Sequence, residues 1–424
     1  MPMLHSESTQ KFDRIPLPIY DQKFKADPYP FYRSLQQSGE KLAAISLPGG
    51  LEAWLVLDYD LTRHLINSPD LSKDFKKCVV GESADGSEAS ASELHPIYQH
   101  LHTTDPPEHT SLRSLLATEF TRSRVLQMRP QIQEIADRLI ADMTSMREAN
   151  LLQAFASPFS LHVICQFLGV PERDIELIGQ WLQRLNQADL EGTAVAHEIA
   201  ANFQNYLLDL AVKECDSNSD TLFSRLVTRH ADGDLSEKDL ISSSFLLLSA
   251  GYETAMNLIG NSVLTLLTKR GIWDEIQSGQ YELATVVEEL LRWECPLEFS
   301  TLRVAIRKIE LEGVSIEPGE KVLFCFYAAN RDPQYFMAGE QLQFQCRHAS
   351  AHMSFGFGIH YCLGAGLARL ESEVAISSLL RTFPEMRLNP EQPQPQWLPG
   401  LTMRGLDQLP VRFDSEDFLP EGRE

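Results

Sequence analysis

One cysteine, Cys362, lies inside the glycine-punctuated stretch Phe355-Gly-Phe-Gly-Ile-His-Tyr-Cys-Leu-Gly364. A run with helical character, Gly364-Ala-Gly-Leu-Ala-Arg-Leu-Glu371, follows it. Glycine has no Cβ, so the chain there can approach a flat group closely or take a positive φ. A thiolate just before a helix N-terminus is stabilised by the partial positive charge of that end. These features make Cys362 a candidate ligand for a metal-containing cofactor. Two plainer readings compete. A free cysteine is commonly a small buried hydrophobe. Zinc on His352, His360 and Cys362 is a second option, but it needs a fourth ligand and leaves the glycines unexplained.

A second constellation is the acid–alcohol pair in Ala250-Gly-Tyr-Glu-Thr254. Glycine inside a helix costs about 1 kcal/mol relative to alanine. A carboxylate among apolar residues is costly unless hydrogen-bonded or solvated. Both penalties fall within one helical turn, which suggests that Glu253 and Thr254 have a function. The bland alternative is a packing glycine and a surface-facing glutamate. A third pair, Glu289 and Arg292, stands at i and i+3 within Val287-Glu-Glu-Leu-Leu-Arg-Trp-Glu-Cys-Pro296. On a surface such a pair is worth only a few tenths of a kcal/mol, and Pro296 ends its helix.

The elements that must position these residues are readable. Ser236 caps a helical run that continues to about Arg270, roughly 50 Å at about 1.5 Å per residue. Its apolar segment Phe245-Leu-Leu-Leu-Ser-Ala250 predicts a helix crossing the middle of the molecule. Asp27 to Gly39 predicts a short helix with proline near its start. Lys41 to Leu57 predicts a hairpin around Pro-Gly-Gly. Helical periodicity dominates from Pro107 to Arg270. Extended segments follow at 302–316 and 321–326, with short strand-like pieces after Pro384. The fold class is therefore mainly α with small β-sheets (α+β). The whole of 1–424 reads as one domain, with residues 1–20 a poorly ordered tail and 81–94 a mobile acidic loop.

Composition narrows the function. The net charge of −22 repels nucleic-acid phosphates. The seven cysteines, Cys78, Cys165, Cys215, Cys295, Cys325, Cys346 and Cys362, are odd in number and scattered. That argues against a disulfide framework and for a reducing compartment. No apolar leader or spanning segment is visible, so a cytoplasmic, membrane-free and monomeric protein is expected.

The pattern F-G-x-G-x-H-x-C-x-G resembles the haem-binding loop of the cytochrome P450 superfamily. The resemblance extends from Asp27 to about Phe413 and implies the P450 fold, with a long central helix over the haem and no fused reductase. It implies haem b (iron protoporphyrin IX) as cofactor, Cys362 as the axial iron ligand, and Phe355, Gly356 and Gly364 as loop residues against the haem. Ala250-Gly-Tyr-Glu-Thr254 resembles the family's oxygen groove. There Thr254 hydrogen-bonds dioxygen, Glu253 relays protons, and Ala250 and Gly251 leave room for oxygen and substrate. Peroxide-using relatives lack this pair, so a dioxygen-using monooxygenase is implied. Glu289 and Arg292 resemble the family's buried ExxR pair, completed by Arg347. His109, Arg113, Arg303 and His352 fall where the family binds the haem propionates, whose carboxylates require charge-assisted donors.

Closer still, the chain looks like the bacterial soluble subgroup that tailors macrolides and other polyketides. Trp54-Leu-Val-Leu57, Asp70-Leu-Ser-Lys-Asp74 and Met403-Arg-Gly-Leu-Asp-Gln-Leu-Pro410 carry that likeness. Tyr252 and Ala255 depart from it, where histidine and a second threonine are frequent. The implied reaction is hydroxylation or epoxidation of a small to medium-sized apolar secondary metabolite. Fatty-acid or terpenoid/steroid hydroxylation, or a non-catalytic haem sensor, are the alternatives. Expected pocket residues are Leu94, Ile97, Tyr98, Leu246, Leu247, Leu297, Phe299, Ser300, Thr301, Thr402 and Met403. Glu82, Glu88 and Glu93 are candidates for recognising a cation at its mouth. Electrons are expected from a ferredoxin and its reductase, docking near Arg113, Arg122 and Arg124.

Overall fold

The structure, a computed structural model, describes residues 14–74, 95–191, 193–214, 219–311, 313–345 and 349–413. Its axis is the helix Glu237–Thr268, in which Ser236 accepts the Asp239 N–H at 3.0 Å as N-cap. At 32 residues it is about 48 Å long. Apolar side chains on most of its faces are buried, so neighbours surround it. It packs against the helices Ser157–Leu168 and Ala365–Thr382. Two glycines allow close crossing, Gly251 with the first of these and Gly260 with the segment just before it. A Cβ at Gly251 would stand 2.5 Å from Ile164 Cδ1, and one at Gly260 would stand 2.7 Å from Leu152 Cδ2.

A six-stranded sheet lies to one side, in the order Ile15–Pro16, Leu42–Ser46, Glu52–Val56, Lys321–Phe324, Arg303–Ala305, Leu71–Ser72. The expected hairpin is its local nucleus. Leu42–Ser46 and Glu52–Val56 pair antiparallel, and Gly49 and Gly50 turn the chain at positive φ. The expected short helix runs Tyr29–Gln37. The three-residue strand Glu148–Asn150 interrupts the helical region and pairs with Pro410–Arg412. Its segment, Glu-Ala-Asn, is too short and too polar to show a period. The acidic loop 81–94 lies outside the described residues, with Glu82, Glu88, Glu93 and Leu94.

Apolar burial forms two cores, one among the helices and one around the sheet. The helix Leu283–Trp293 packs into the first of these and carries Glu289 and Arg292.

Candidate active site

The Cys362 loop is closed by its own backbone. The Cys362 N–H donates to the Phe355 carbonyl at 2.9 Å, and the Tyr361 N–H to that of Gly358 at 3.0 Å. Gly356 and Gly358 hold φ near +70° and +74°, a region that L side chains rarely adopt. Gly364 has ordinary backbone angles. A Cβ on it would stand 3.8 Å from the Cys362 sulfur, so glycine there keeps open the space beside the thiol. The helix Ala365–Thr382 starts at that point.

Cys165, Cys295 and Cys325 are buried, and burial pushes the thiols of Cys165 and Cys295 up to about 12. Cys362 differs: its side chain is accessible although protein surrounds it at longer range. Burial also raises its thiol. The N–H groups of Gly364 and Ala365 and the guanidinium groups of Arg113 and Arg369 pull it back. These donors and charges favour a thiolate.

A cluster of buried basic side chains lies beside the loop. His109 is 1% exposed and Arg303 4% exposed. Both His109 ring nitrogens, Arg303 Nε and His360 Nδ1 lack hydrogen-bond partners. The rings of His109 and His360 are 4.2 Å apart. Burial, reinforced by Arg113 and Lys73, holds His109 down at about 4. Burial lowers Arg303 to about 10. His360 is pushed far down by burial and then by the charges of Lys73 and Arg303. Unpartnered buried donors are costly, and this set fits a group bearing carboxylates. Arg113, half-buried, donates to the Tyr361 carbonyl at 2.6 Å and so ties the cluster to the cysteine loop.

His352 does not join this cluster, contrary to expectation. Its ring is buried, with Nε2 3.5 Å from Glu288 Oε2 and Nδ1 accepting the Ser354 N–H at 3.2 Å. His360 takes the place expected for it. His360 lies inside the motif, while His352 stands three residues before it and packs against Glu288 instead.

Around His352 lies a brace that the sequence did not reveal. Arg369 pairs with Glu288 through both guanidinium edges, Nη2 at 3.1 Å from Oε2, and its guanidinium covers the Phe355 ring at 4.5 Å. Burial works against the Glu288 charge, but the nearby His352 ring and the Arg369 guanidinium hold its carboxyl down at about 2. The adjacent pair Glu289–Arg292 is buried as expected. Arg292 donates to both Glu289 oxygens at 2.8 and 2.7 Å and to the carbonyls of Asn330, Gly339 and Gln341. The expected third member, Arg347, lies outside the described residues. Asn330 and Ser354 then anchor the start of the cysteine loop to this helix.

On the central helix, Ala250, Glu253 and Thr254 are half-buried amid a buried run. Their i, i+3, i+4 spacing sets them on one face. The Thr254 hydroxyl donates to the Ala250 carbonyl at 2.6 Å. Gly251 is turned away, against Ile164. It permits the close helix crossing there. Tyr252 is buried, its hydroxyl 2.8 Å from Ser157 Oγ.

The expected pocket residues divide. Tyr98 is half-buried, its ring 5.6 Å from that of Phe245, and Leu246, Leu247 and Ile97 are buried nearby in the helical core. Leu297 bridges to Met403, and the Glu298 N–H donates to the Thr402 carbonyl at 3.0 Å, so these two segments are one unit. Thr301 is exposed. Phe299 and Ser300 have partners within the sheet core. Phe299 is fully buried in the sheet core against Tyr32, and Ser300 is spent on the backbone of Thr301 and Phe324. The unit is pinned from behind by Lys25 and Tyr32, both 2.6 Å from the buried Glu298 carboxylate. Of the expected docking arginines, Arg113 is engaged with the loop and Arg124 with Glu119 at 2.9 Å, while Arg122 is exposed.

Known proteins share this architecture. The family described as cytochrome P450 matches residues 272–410. Over 396 residues the chain is 35% identical to the cytochrome P450 monooxygenase PikC of Streptomyces venezuelae, covering 92% of each chain. It is 34% identical to the 6-deoxyerythronolide B hydroxylase of Saccharopolyspora erythraea, covering 93% of this chain and 98% of that one. The solved structure of PksS, a polyketide synthase cytochrome P450 of Bacillus subtilis, superposes with a TM-score of 0.85 at 30% identity, over 94% of this chain and 100% of that one. The chain belongs to the cytochrome P450 family and is a monooxygenase. Within the family it resembles bacterial members, among them one named for polyketide biosynthesis and one named for hydroxylating 6-deoxyerythronolide B.

Proposed function

We propose that this chain is a haem b monooxygenase that hydroxylates or epoxidises an apolar secondary metabolite of the polyketide or macrolide class. The observation that carries the reading is an accessible Cys362 at a helix N-terminus beside buried nitrogens of His109, Arg303 and His360 that lack hydrogen-bond partners. Cys362 is the iron ligand. His109, Arg113, Arg303 and His360 hold the haem carboxylates, and Phe355 and Gly364 shape the space beside the thiolate. Haem held by a thiolate supplies dioxygen activation and O–O cleavage. The protein supplies position and protons. Glu253 takes a proton from solvent and passes it to the Thr254 hydroxyl, which releases the Ala250 carbonyl to receive and redirect it. Ala250, Leu246 and Tyr98 on one side, and Leu297 with Met403 on the other, exclude water and orient an apolar substrate. The donor is a ferredoxin with its reductase, and the enzyme is cytoplasmic.

The test is a titration of the haem-loaded protein with macrolactones, linear polyketides, fatty acids and terpenoids, reading the substrate-induced spin shift. A macrolactone or polyketide is expected to give the tightest shift and an oxygenated product with ferredoxin, reductase and NADPH. A shift confined to fatty acids or terpenoids contradicts the substrate class. Haem without turnover of any of them contradicts the enzyme reading.

A further inference from the structure

The sheet register places a second buried cation against Arg303. The strands Leu71–Ser72 and Arg303–Ala305 are antiparallel, with Ser72 opposite Val304. One residue further along the same register, Lys73 comes opposite Arg303. Lys73 is 7% exposed and Arg303 4%. Like charges facing each other across a strand pair are destabilising, and burial makes unpaired charge more costly. The acid acting on both is Asp105. Its carboxylate accepts from the Ser72 hydroxyl and from the Lys73 backbone N–H at 3.1 Å. That arrangement ties the 105 loop to the strand and holds Lys73 in place. Arg113 stands beside His109, so the region holds Lys73, Arg303 and Arg113, with Asp105 acting on the first two. One carboxylate does not balance this set, and a dicarboxylate supplies further negative charge.

We propose that Lys73 is a further binding residue for the haem carboxylates, setting both haem retention and the ease of iron reduction. The inference rests on the haem-thiolate reading above. Burial and then the Arg303 charge bring Lys73 down to about 7, and an anion bound beside it would restore its charge. Neither sequence position nor motif marks Lys73 for this role; its register against Arg303 does.

The test compares haem-loaded wild type with Lys73→Met and Lys73→Arg. Haem transfer to excess apomyoglobin gives the loss rate, and dye-coupled reductive titration gives the potential. Lys73→Met is expected to lose haem at least ten-fold faster and to reduce at a lower potential, because a positive charge that favours the ferrous state is gone. Lys73→Arg is expected to stay near wild type. Should Lys73→Met fail to fold, Lys73→Gln serves with the same readouts and the same expectation. Wild-type loss rate and potential in the neutral variant overturn the role of Lys73 alone. A wild type without the thiolate-type reduced-CO band overturns the haem-thiolate reading, and this assignment with it.

Discussion

At the scale of single residues, His352, just before the cysteine motif, and His360, within it, have separate tasks. His360 meets His109 at 4.2 Å, and His352 faces Glu288. His360→Ala should therefore speed haem loss several-fold while leaving thermal stability nearly unchanged. His352→Ala should do the reverse, because it removes a group from the buried brace. Parallel assays of haem transfer and thermal unfolding check this, and equal effects on haem loss contradict it. Thr254 is also testable. Its hydroxyl sits on the Ala250 carbonyl, so Thr254→Ala should keep haem and substrate binding but divert most reducing equivalents into peroxide. Full coupling of NADPH to product in that variant would remove Thr254 from oxygen handling.

At the scale of elements, the Glu289–Arg292 pair and the central helix set the frame. Removing one partner of a buried, hydrogen-bonded ion pair costs about 3–5 kcal/mol. Arg292→Ala should therefore give little folded, haem-loaded protein, as read by denaturant unfolding and haem content. Gly251→Val inserts a branched side chain against Ile164. Overpacking costs about 1–3 kcal/mol, so a loss of stability is expected without a change in the peroxide-to-product ratio. A shift in that ratio instead would return Gly251 to the oxygen groove.

What the sequence reveals at this scale follows from distance along the chain. The hairpin 42–56, the capped central helix and the Cys362 loop are local patterns, and each formed where its residues predicted. The Glu288–Arg369 brace, the choice of His360 over His352, the burial of Phe299 and the facing of Lys73 and Arg303 all join distant segments. Their meaning lies in packing and register, which no local pattern encodes.

At the scale of the whole molecule, the acid side of stability has a named contributor. The Glu288 carboxyl is held at about 2, against 4.5 ordinarily. A lowered carboxylate pKa stabilises the fold above the unfolded value, and the gain disappears as pH falls through the folded one. Glu288→Gln should thus cost on the order of 2 kcal/mol at neutral pH. The gap to wild type should close between pH 4.5 and about 2, as followed by urea unfolding across that range. A gap that persists unchanged at the acid end would show that packing, not charge, is what the substitution removed.

The charge of the whole chain, −22, repels an acidic electron donor unless a local patch receives it. Arg122 is exposed, while Arg113 and Arg124 are engaged within the chain. Arg122→Glu should slow reduction by ferredoxin at low salt, and the difference should fade as salt screens it. Equal rates at low salt would place the dock elsewhere. The central claim, a thiolate from Cys362 on a haem iron, is tested most directly by the optical spectrum of the reduced protein under carbon monoxide. Wild type should show the red-shifted thiolate-type Soret band, and Cys362→Ser should lose it. The same band surviving in Cys362→Ser, or absent from haem-loaded wild type, would contradict the account.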